Sequence, residues 1–75
     1  MKIVQFSDGN YAIRRWHLFK WEYCILNTNM EWTTKKYSNY RNCLTKDFDI
    51  VKTIFKVAKA YYERGKPVNM VIEAI

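Results

Sequence analysis

Two short apolar runs flank an Asp-Gly pair in residues 3–13, which read IVQFSDGNYAI. Asp-Gly between two β-friendly runs is the strongest short-range signal of a β-hairpin, because a type I′ turn needs positive φ at both central residues. A two-residue turn at this pair places Phe6 opposite Tyr11. The same register places Val4 opposite Ile13, and all four side chains then share one face of the sheet. The sequence therefore predicts that the fold starts with an antiparallel hairpin.

Further strands are predicted between residues 16 and 37. Residues 21–26 alternate in character, with Trp21, Tyr23 and Ile25 on one side, as in a half-buried strand. The preceding Leu-Phe-Lys, residues 18–20, is the predicted turn between the second and third strands. It contains no Gly, Asn or Asp, so a bend or bulge fits it as well as a tight hairpin does. Residues 27–29, Asn-Thr-Asn, predict a loop, and Glu31 to Tyr37 are predicted to form a fourth strand.

One amphipathic helix is predicted from Thr45 to about Arg64. Thr45 is a favourable N-cap residue with Asp47 in the first turn, and Gly65 followed by Pro67 ends the helix. On a helical wheel, this segment has an apolar stripe and a charged side opposite to it. The stripe contains Phe48, Val51, Ile54, Phe55, Ala58, Tyr61 and Tyr62, and the charged side contains Lys52, Lys56, Lys59 and Glu63. We interpret these lysines as a solvated helix surface.

Residues 68–75 are apolar apart from Glu73. They are predicted to form a fifth strand, or an arm that makes a homodimer by packing Val68–Ile75 on another copy. The element order is then β-β-β-β-α-β, and the fold class is α+β. The predicted architecture is an antiparallel β-sheet of four or five strands with one amphipathic helix packed on one face. Seventy-five residues form a single domain, 1–75, with a small core.

The composition favours an acidic partner. Thirteen Lys and Arg against seven Asp and Glu give a net charge of +6, which suits nucleic acid, an acidic protein surface or an anionic membrane. An apolar content of 49% argues against disorder. No segment approaches the roughly 20 apolar residues of a membrane helix, and the first nine residues lack a signal-peptide pattern. We therefore expect no membrane partner, a location in the cytoplasm, and cysteines present as thiols.

The sequence contains no known catalytic motif, such as G-x-S-x-G, a Walker loop, C-x-x-C or H-E-x-x-H. His17 with Cys24 or Cys43 could form an activated thiolate or part of a metal site, but the spacing supports neither. We therefore interpret His17 as a sheet-surface residue and both cysteines as small core residues. The expectation is a protein that is not an enzyme and has no cofactor and no metal.

A first candidate binding stretch contains Arg14, Arg15, Trp16 and Lys20. Because neighbours on a strand point to opposite faces, Arg14 and Trp16 share one face and Arg15 lies on the other. Arg beside Trp on an exposed face makes a platform for stacking and for phosphate. The alternative is that the arginine stems cover apolar surface while their charged heads stay in water.

A second candidate stretch contains Lys35, Lys36, Tyr37, Tyr40 and Arg41. Lysines interleaved with tyrosines suit phosphate contacts. A charged sheet edge equally serves to prevent unwanted strand pairing. Both interpretations stay open for this stretch.

Four segments carry a resemblance to a known group of proteins. They are Tyr11–Arg15, Trp21–Tyr23, Glu31–Thr33 and Cys43–Asp47. Together they resemble small, uncharacterised accessory proteins of tailed bacteriophages, over about two-thirds of the chain. This chain departs from that group by the added residues 61–75. The resemblance implies a phage-encoded protein of the kind that binds and blocks a host protein, including CRISPR and nucleotide-signalling defence.

Two functions are therefore predicted from different classes. The first is a phage-encoded inhibitor that binds a host protein with an acidic surface, with anti-CRISPR or other anti-defence activity as the forms that the resemblance implies. Its arginines and aromatics would anchor the partner, and its lysines would steer association. The second is a basic nucleic-acid-binding accessory module, whose affinity would fall steeply with salt.

Overall fold

A computed structural model describes residues 1–27, 29, 31–66 and 70–75. The elements in chain order are β1 (Lys2–Gln5), β2 (Tyr11–His17), β3 (Lys20–Cys24), β4 (Trp32–Thr33), a 3-10 helix (Ser38–Cys43), α1 (Phe48–Tyr62) and β5 (Ile72–Ala74). The fold is α+β, with one five-stranded sheet and one α-helix in this part of the chain.

The strand order in the sheet is β4-β3-β2-β1-β5. Neighbouring strands are antiparallel except β5, which pairs in parallel with β1. Helix α1 explains this exception. It begins beside Tyr11, opposite the end of β1, where the Phe48 ring lies 5.2 Å from that of Tyr11. It ends beside the start of β1, where Glu63 contacts the amino group of Met1 at 3.2 Å. The chain thus returns to the start of β1, and β5 repeats its direction.

The helix covers one face of the sheet, as the amphipathic pattern predicts. Val51 and Phe55 of α1 pack on Ile3, Ile13 and Cys24. Half-buried side chains surround this cluster, and they are Met1, Tyr11, Leu26, Trp32, Phe48, Ile54 and Met70. Because every one of the three central strands contributes a residue to it, this cluster joins the helix to the sheet.

The 3-10 helix covers part of the opposite face. Cys43 is fully buried against Val4, Ala12, Tyr23 and Ile25. This second cluster explains why β1, β2 and β3 carry apolar residues on both faces. The sheet is therefore sandwiched between α1 and the segment that precedes it.

The predicted register of the first hairpin is wrong by one residue. The observed pairs are Gln5 with Tyr11 and Ile3 with Ile13. Gly9, at φ 90°, adds a third residue to the loop, and its N–H donates to the Phe6 carbonyl at 3.0 Å. This is a type I turn followed by a left-handed glycine. A one-residue shift in register moves a side chain to the other face of the sheet. Val4 therefore lies on the face away from α1, and Ile13 lies on the face that α1 covers.

The helix begins later than predicted. Asp47 is the N-cap, and its carboxylate accepts hydrogen bonds from the N–H groups of Asp49 and Ile50. Thr45 cannot fill that position because its backbone forms an isolated bridge with Tyr11. The Thr45 hydroxyl instead accepts a hydrogen bond from the Asp47 N–H at 3.0 Å.

Two other predicted segments differ in extent. The fourth strand is only Trp32–Thr33, because the chain turns at residues 34–37, where the Tyr37 N–H donates to the Thr34 carbonyl at 3.2 Å. The fifth strand is confirmed as Ile72–Ala74, and it pairs with β1 of its own chain. Val68 and Asn69 lie outside the described residues. A homodimer through Val68–Ile75 stays a prediction.

Candidate binding surface at the β2–β3 hairpin

The turn between β2 and β3 contains only Leu18 and Phe19. His17 and Lys20 form the last pair of the ladder, and both turn residues have positive φ, 51° for Leu18 and 62° for Phe19. Type I′ turns have this backbone conformation and normally use Asn and Gly. The left-handed conformation costs a side-chain-bearing residue about 1–2 kcal/mol. The sequence contains bulky apolar residues at both strained positions.

Both turn side chains project into solvent. Leu18 is 73% exposed and Phe19 is 91% exposed. Neither packs against a core cluster. We name Leu18 and Phe19, together with Trp16 and Trp21 below them, the hairpin tip.

The two tryptophans form a ledge at the base of the tip. They are cross-strand partners in the ladder, with ring centroids 5.1 Å apart in an edge-to-face arrangement. Both are exposed. The Arg14 guanidinium lies 3.8 Å from the Trp21 centroid. This stack holds Trp21 in a defined position beneath the turn.

Arg14 packs against the Trp21 ring and is itself largely buried. Its side chain is 11% exposed, and one terminal nitrogen lies 3.9 Å from the Glu73 carboxylate. Its Nε is buried without a hydrogen-bond partner in the described part of the chain. In the platform predicted from Arg14 and Trp16, the tryptophan is therefore the accessible side chain.

Arg15 has a different place, on the helix face. Its Nε donates to the Glu22 carboxylate at 2.9 Å, and its guanidinium lies 4.1 Å from the Trp32 centroid and 5.5 Å from that of Tyr62. The side chain closes the end of the helix-face core nearest the tip. Its stem and its charge therefore both make contacts within the fold.

A groove beside the tip joins the two stretches that the sequence singled out. Its volume is about 460 Å³, and it is lined by Lys20, Trp21, Tyr23, Thr34, Lys35, Lys36 and Tyr37. We name it the lysine groove. A second hollow, of about 550 Å³, shares Lys20 and Tyr37 and extends past Glu22 and Trp32 to Asn39. Residues distant in sequence thus meet because β4 ends after two residues and the chain turns back over β3.

Aromatic rings hold the lysines at the groove. The Lys35 ammonium lies 5.5 Å from the Phe6 centroid, 5.7 Å from that of Tyr23 and 5.9 Å from that of Tyr40. The Lys36 ammonium lies 5.9 Å from the Tyr37 ring. These distances are within the range of cation–π attraction. Since both lysines are exposed and neither has an ion-pair partner among the residues described, the groove presents positive charge beside apolar rings.

Tyr40 and Arg41 lie apart from the groove lining. Tyr40 packs edge-to-face on Tyr23 at 5.0 Å, and burial raises the pKa of its hydroxyl. Arg41 lines another hollow, of about 420 Å³, with Leu26, Leu44 and Ile50. The structure therefore divides the second predicted stretch into three parts. Residues 35–37 line the groove, Tyr40 packs beside it on Tyr23, and Arg41 lies at a separate hollow.

His17, Cys24 and Cys43 were the candidates for thiolate or metal chemistry. The described residues contain no group of three or more His, Cys, Asp or Glu side chains that could hold a metal ion. Burial raises the pKa of Cys24 to about 11 and that of Cys43 to about 12, so both are thiols at neutral pH. His17 is exposed at the end of β2.

Sequence reasoning missed Leu18, Phe19 and Trp21 as surface anchors. It treated Leu18 and Phe19 only as part of a connection and Trp21 only as a strand residue. The signal was nonetheless present, because a short link between two strands with no Gly, Asn or Asp forces bulky residues into a tight turn, where they cannot reach the core.

Comparison with protein-family models, with curated proteins and with solved structures finds no match to this chain. In the described part of the chain, no helix has the length and apolar character required to cross a membrane.

Proposed function

We propose that the protein works by binding a partner protein through the hairpin tip and the lysine groove. The observation that carries this proposal is the pair Leu18 and Phe19, exposed at 73% and 91% while held at positive φ. Strained conformations persist where the surrounding structure enforces them, and they cluster at functional positions. Here the β2–β3 ladder enforces the turn. Among the residues described, neither side chain joins a core cluster, which supports a contact outside the chain as the reason for the strain.

The tip has the chemistry of an interface anchor. Burying an apolar side chain of this size contributes about 1.5–3 kcal/mol, and a few aromatic anchors usually supply most of the binding energy of an interface. Trp16 and Trp21 widen the apolar area at the base of the tip. The partner we infer has an apolar pocket that accepts Leu18 and Phe19.

The lysine groove supports a partner whose contact surface is negatively charged. Lys20, Lys35 and Lys36 lie beside the tip on a chain of net charge +6. Acidic residues around the partner's pocket would meet these lysines, which speeds encounter and disfavours basic competitors. The proposal thus retains the predicted acidic partner surface, with lysines in place of the two arginines as the accessible charges.

Inhibition of a host protein by a phage-encoded protein stays a prediction. This prediction requires, in addition to binding, that the partner's pocket has a function of its own. The hairpin tip would then compete with the normal ligand of that pocket. Anti-CRISPR and anti-signalling activity are two forms of this prediction.

A tip substitution tests the proposal without weakening the fold. Leu18→Asn with Phe19→Gly gives the turn its preferred residues and removes both anchors. Tagged wild-type protein and this double variant are incubated with bacterial lysate that has been treated with nuclease. We expect a partner that the wild type retains and the double variant loses.

A matched control removes an exposed apolar residue elsewhere. Val71 is 69% exposed and lies outside the tip, and Val71→Asn should retain the partner. Loss of the partner in both variants, or in neither, would contradict binding through the hairpin tip.

The lysine groove supports a second candidate, a single-stranded nucleic-acid site. Lysines beside Trp21 and Tyr37 combine phosphate contacts with surfaces on which bases stack. Lys35→Gln with Lys36→Gln should then weaken the binding of a labelled oligonucleotide. The slope of log affinity against log salt should also become shallower, by about 0.7 for each phosphate that is no longer neutralised. Fluorescence anisotropy at several salt concentrations measures both quantities. Absence of binding at low salt would exclude this candidate.

A further inference from the structure

We infer that Arg14 of β2 and Glu73 of β5 are positioning residues that hold Trp21 at the hairpin tip, so that, if the proposed function holds, docking of β5 regulates binding there. The three side chains come from three different strands. The Arg14 guanidinium lies 3.8 Å from the Trp21 ring centroid. One terminal nitrogen of the same guanidinium lies 3.9 Å from the Glu73 carboxylate. Arg14 therefore connects the terminal strand to the tryptophan ledge.

The sheet register places this connection on the face away from α1. Arg14 pairs with Tyr23, and Glu73 pairs with Val4. Tyr23 and Val4 both belong to the core cluster on the face away from α1, and directly paired residues share a face. Trp21 lies two residues before Tyr23 and so shares this face as well. The connection crosses four neighbouring strands, from β3 over β2 and β1 to β5.

Arg14 depends on these two contacts for its inward position. Its side chain is 11% exposed, and its Nε is buried without a hydrogen-bond partner among the residues described. A buried donor without a partner costs free energy, which water would recover if the guanidinium moved outwards. The stack on Trp21 and the attraction to Glu73 oppose that movement. An outward position in water is therefore the alternative for Arg14, and Glu73 favours the inward one.

The two oxygens of the Glu73 carboxylate have different partners. Oε2 accepts a hydrogen bond from the Lys2 ammonium at 2.8 Å, whereas Oε1 faces Arg14. The hydrogen bond from Lys2 lowers the pKa of the Glu73 carboxyl, so the group is charged at neutral pH. Removal of the Lys2 charge leaves Glu73 able to attract Arg14, whereas removal of the Glu73 charge does not. These two changes separate the positioning of Arg14 from the attachment of β5.

Docking of β5 brings Glu73 to Arg14. The three residues of β5 are exposed and lie outside both core clusters, so this strand can open while the core stays intact. Opening removes the carboxylate from Arg14 and weakens the stack beneath the hairpin tip. Linkage is reciprocal, so a partner bound on Trp21 stabilises docked β5 by the same factor by which docked β5 strengthens binding.

Circular dichroism of the tryptophan pair tests the positioning without any partner. Two indole rings with centroids 5.1 Å apart couple and give a pair of bands of opposite sign, whose size depends on the orientation of the rings. Trp16→Phe should remove these bands and so identifies them. Glu73→Gln keeps the size of the side chain and removes its charge, and it should reduce the bands. Lys2→Gln also breaks an ion pair of β5, and this matched control should leave the bands at wild-type size.

A double-mutant cycle tests whether Glu73 acts through Arg14. Arg14→Gln removes the stacked guanidinium and should reduce the bands by itself, and Glu73→Gln should then have no further effect. The helix signal in the same spectra shows that each variant is folded. Bands unchanged by Glu73→Gln would overturn the inference. So would an equal loss in Lys2→Gln, a further loss in the Arg14→Gln background, or a wild type without bands that depend on Trp16.

The regulatory part is measured with the partner that the hairpin tip retains from lysate. Glu73→Gln should weaken its binding by up to about fivefold, the effect of one exposed ion pair, and Lys2→Gln should not. The bound partner should also slow hydrogen exchange in β5. Equal affinity of wild type and Glu73→Gln would overturn regulation by β5 and leave binding through the tip intact. A partner that the Leu18→Asn, Phe19→Gly variant still retains would contradict the proposed function instead, and the dichroism result would stand.

Discussion

Leu18 and Phe19 lie in a turn whose backbone conformation costs stability, and in the proposed function the same turn supplies the binding anchors. Each takes a backbone conformation that its side chain disfavours, and each leaves its apolar surface in water. Elsewhere the chain follows the ordinary rule, since Gly9 and Gly65 are the other residues with positive φ in the described part. Residues 18 and 19 are therefore the positions in the described part where side chains larger than that of glycine take this conformation.

Replacing both turn residues should stabilise the folded protein. Leu18→Asn with Phe19→Gly relieves the strain at two positions, and we expect the free energy of unfolding to rise by about 1–2 kcal/mol. Urea unfolding followed by tryptophan fluorescence measures the change, with Val71→Asn as the neutral surface control. A lower free energy of unfolding in the double variant would show that Leu18 and Phe19 contribute packing within the fold.

The two cysteines report on the tightness of the core. Burial raises their pKa values to about 11 and about 12, from an ordinary value of 9.0. The unfolded chain therefore loses these protons first as the pH rises. Because the unfolded state then binds fewer protons than the folded state, stability falls from about pH 9 upwards.

Thiol labelling at pH 8 tests this description. Cys24 and Cys43 should react far more slowly in the folded protein than in urea, because reaction needs the thiolate and access to it. Ser7→Cys, at an exposed loop position, provides a fast-reacting reference in the same fold. Folded-state labelling of Cys24 or Cys43 at the rate of that reference would mean that the buried thiols are reached without unfolding.

At the scale of the element, α1 depends on its N-cap residue for a fixed start. Asp47 binds two N–H groups of the first turn, whereas Thr45 supports Asp47 from outside the helix. Asp47→Ala should therefore lower the free energy of unfolding by about 1 kcal/mol. Thr45→Ala should cost less, because its backbone bridge to Tyr11 remains. Urea unfolding of the two variants compares them, and a larger loss for Thr45→Ala would contradict Asp47 as the cap.

The strength of a local signal explains which elements could be predicted. The helix and the first hairpin follow from patterns within a few residues, so their existence was predictable. The register of that hairpin was not, because the Asp-Gly pair fits two loop lengths and only packing on both faces selects one. The lysine groove was also beyond local reasoning, since it forms when residues 34–37 fold back over β3. Its lysines and Tyr37 were identified individually, but their proximity to Trp21 depends on tertiary structure.

At the scale of the whole molecule, two core clusters on opposite faces hold three strands in the centre. β1, β2 and β3 supply residues to one or both clusters, while β5 contributes three exposed residues and a ladder to β1. Loss of β5 would leave both clusters in place. Stability is therefore expected to be uneven across the sheet, with β5 as its weakest strand.

Native-state hydrogen exchange should resolve this difference strand by strand. The ladder amides of β5, and the Ile75 N–H that donates to the Gln5 carbonyl at 3.0 Å, should exchange through a local opening. That opening should need markedly less free energy than exchange at Ile13 or Tyr23, which requires unfolding of a core cluster. Equal free energies for β5 and β2 would show that the chain opens only as one unit. Protection of β5 that grows with protein concentration would instead show that its outer edge pairs with a second copy.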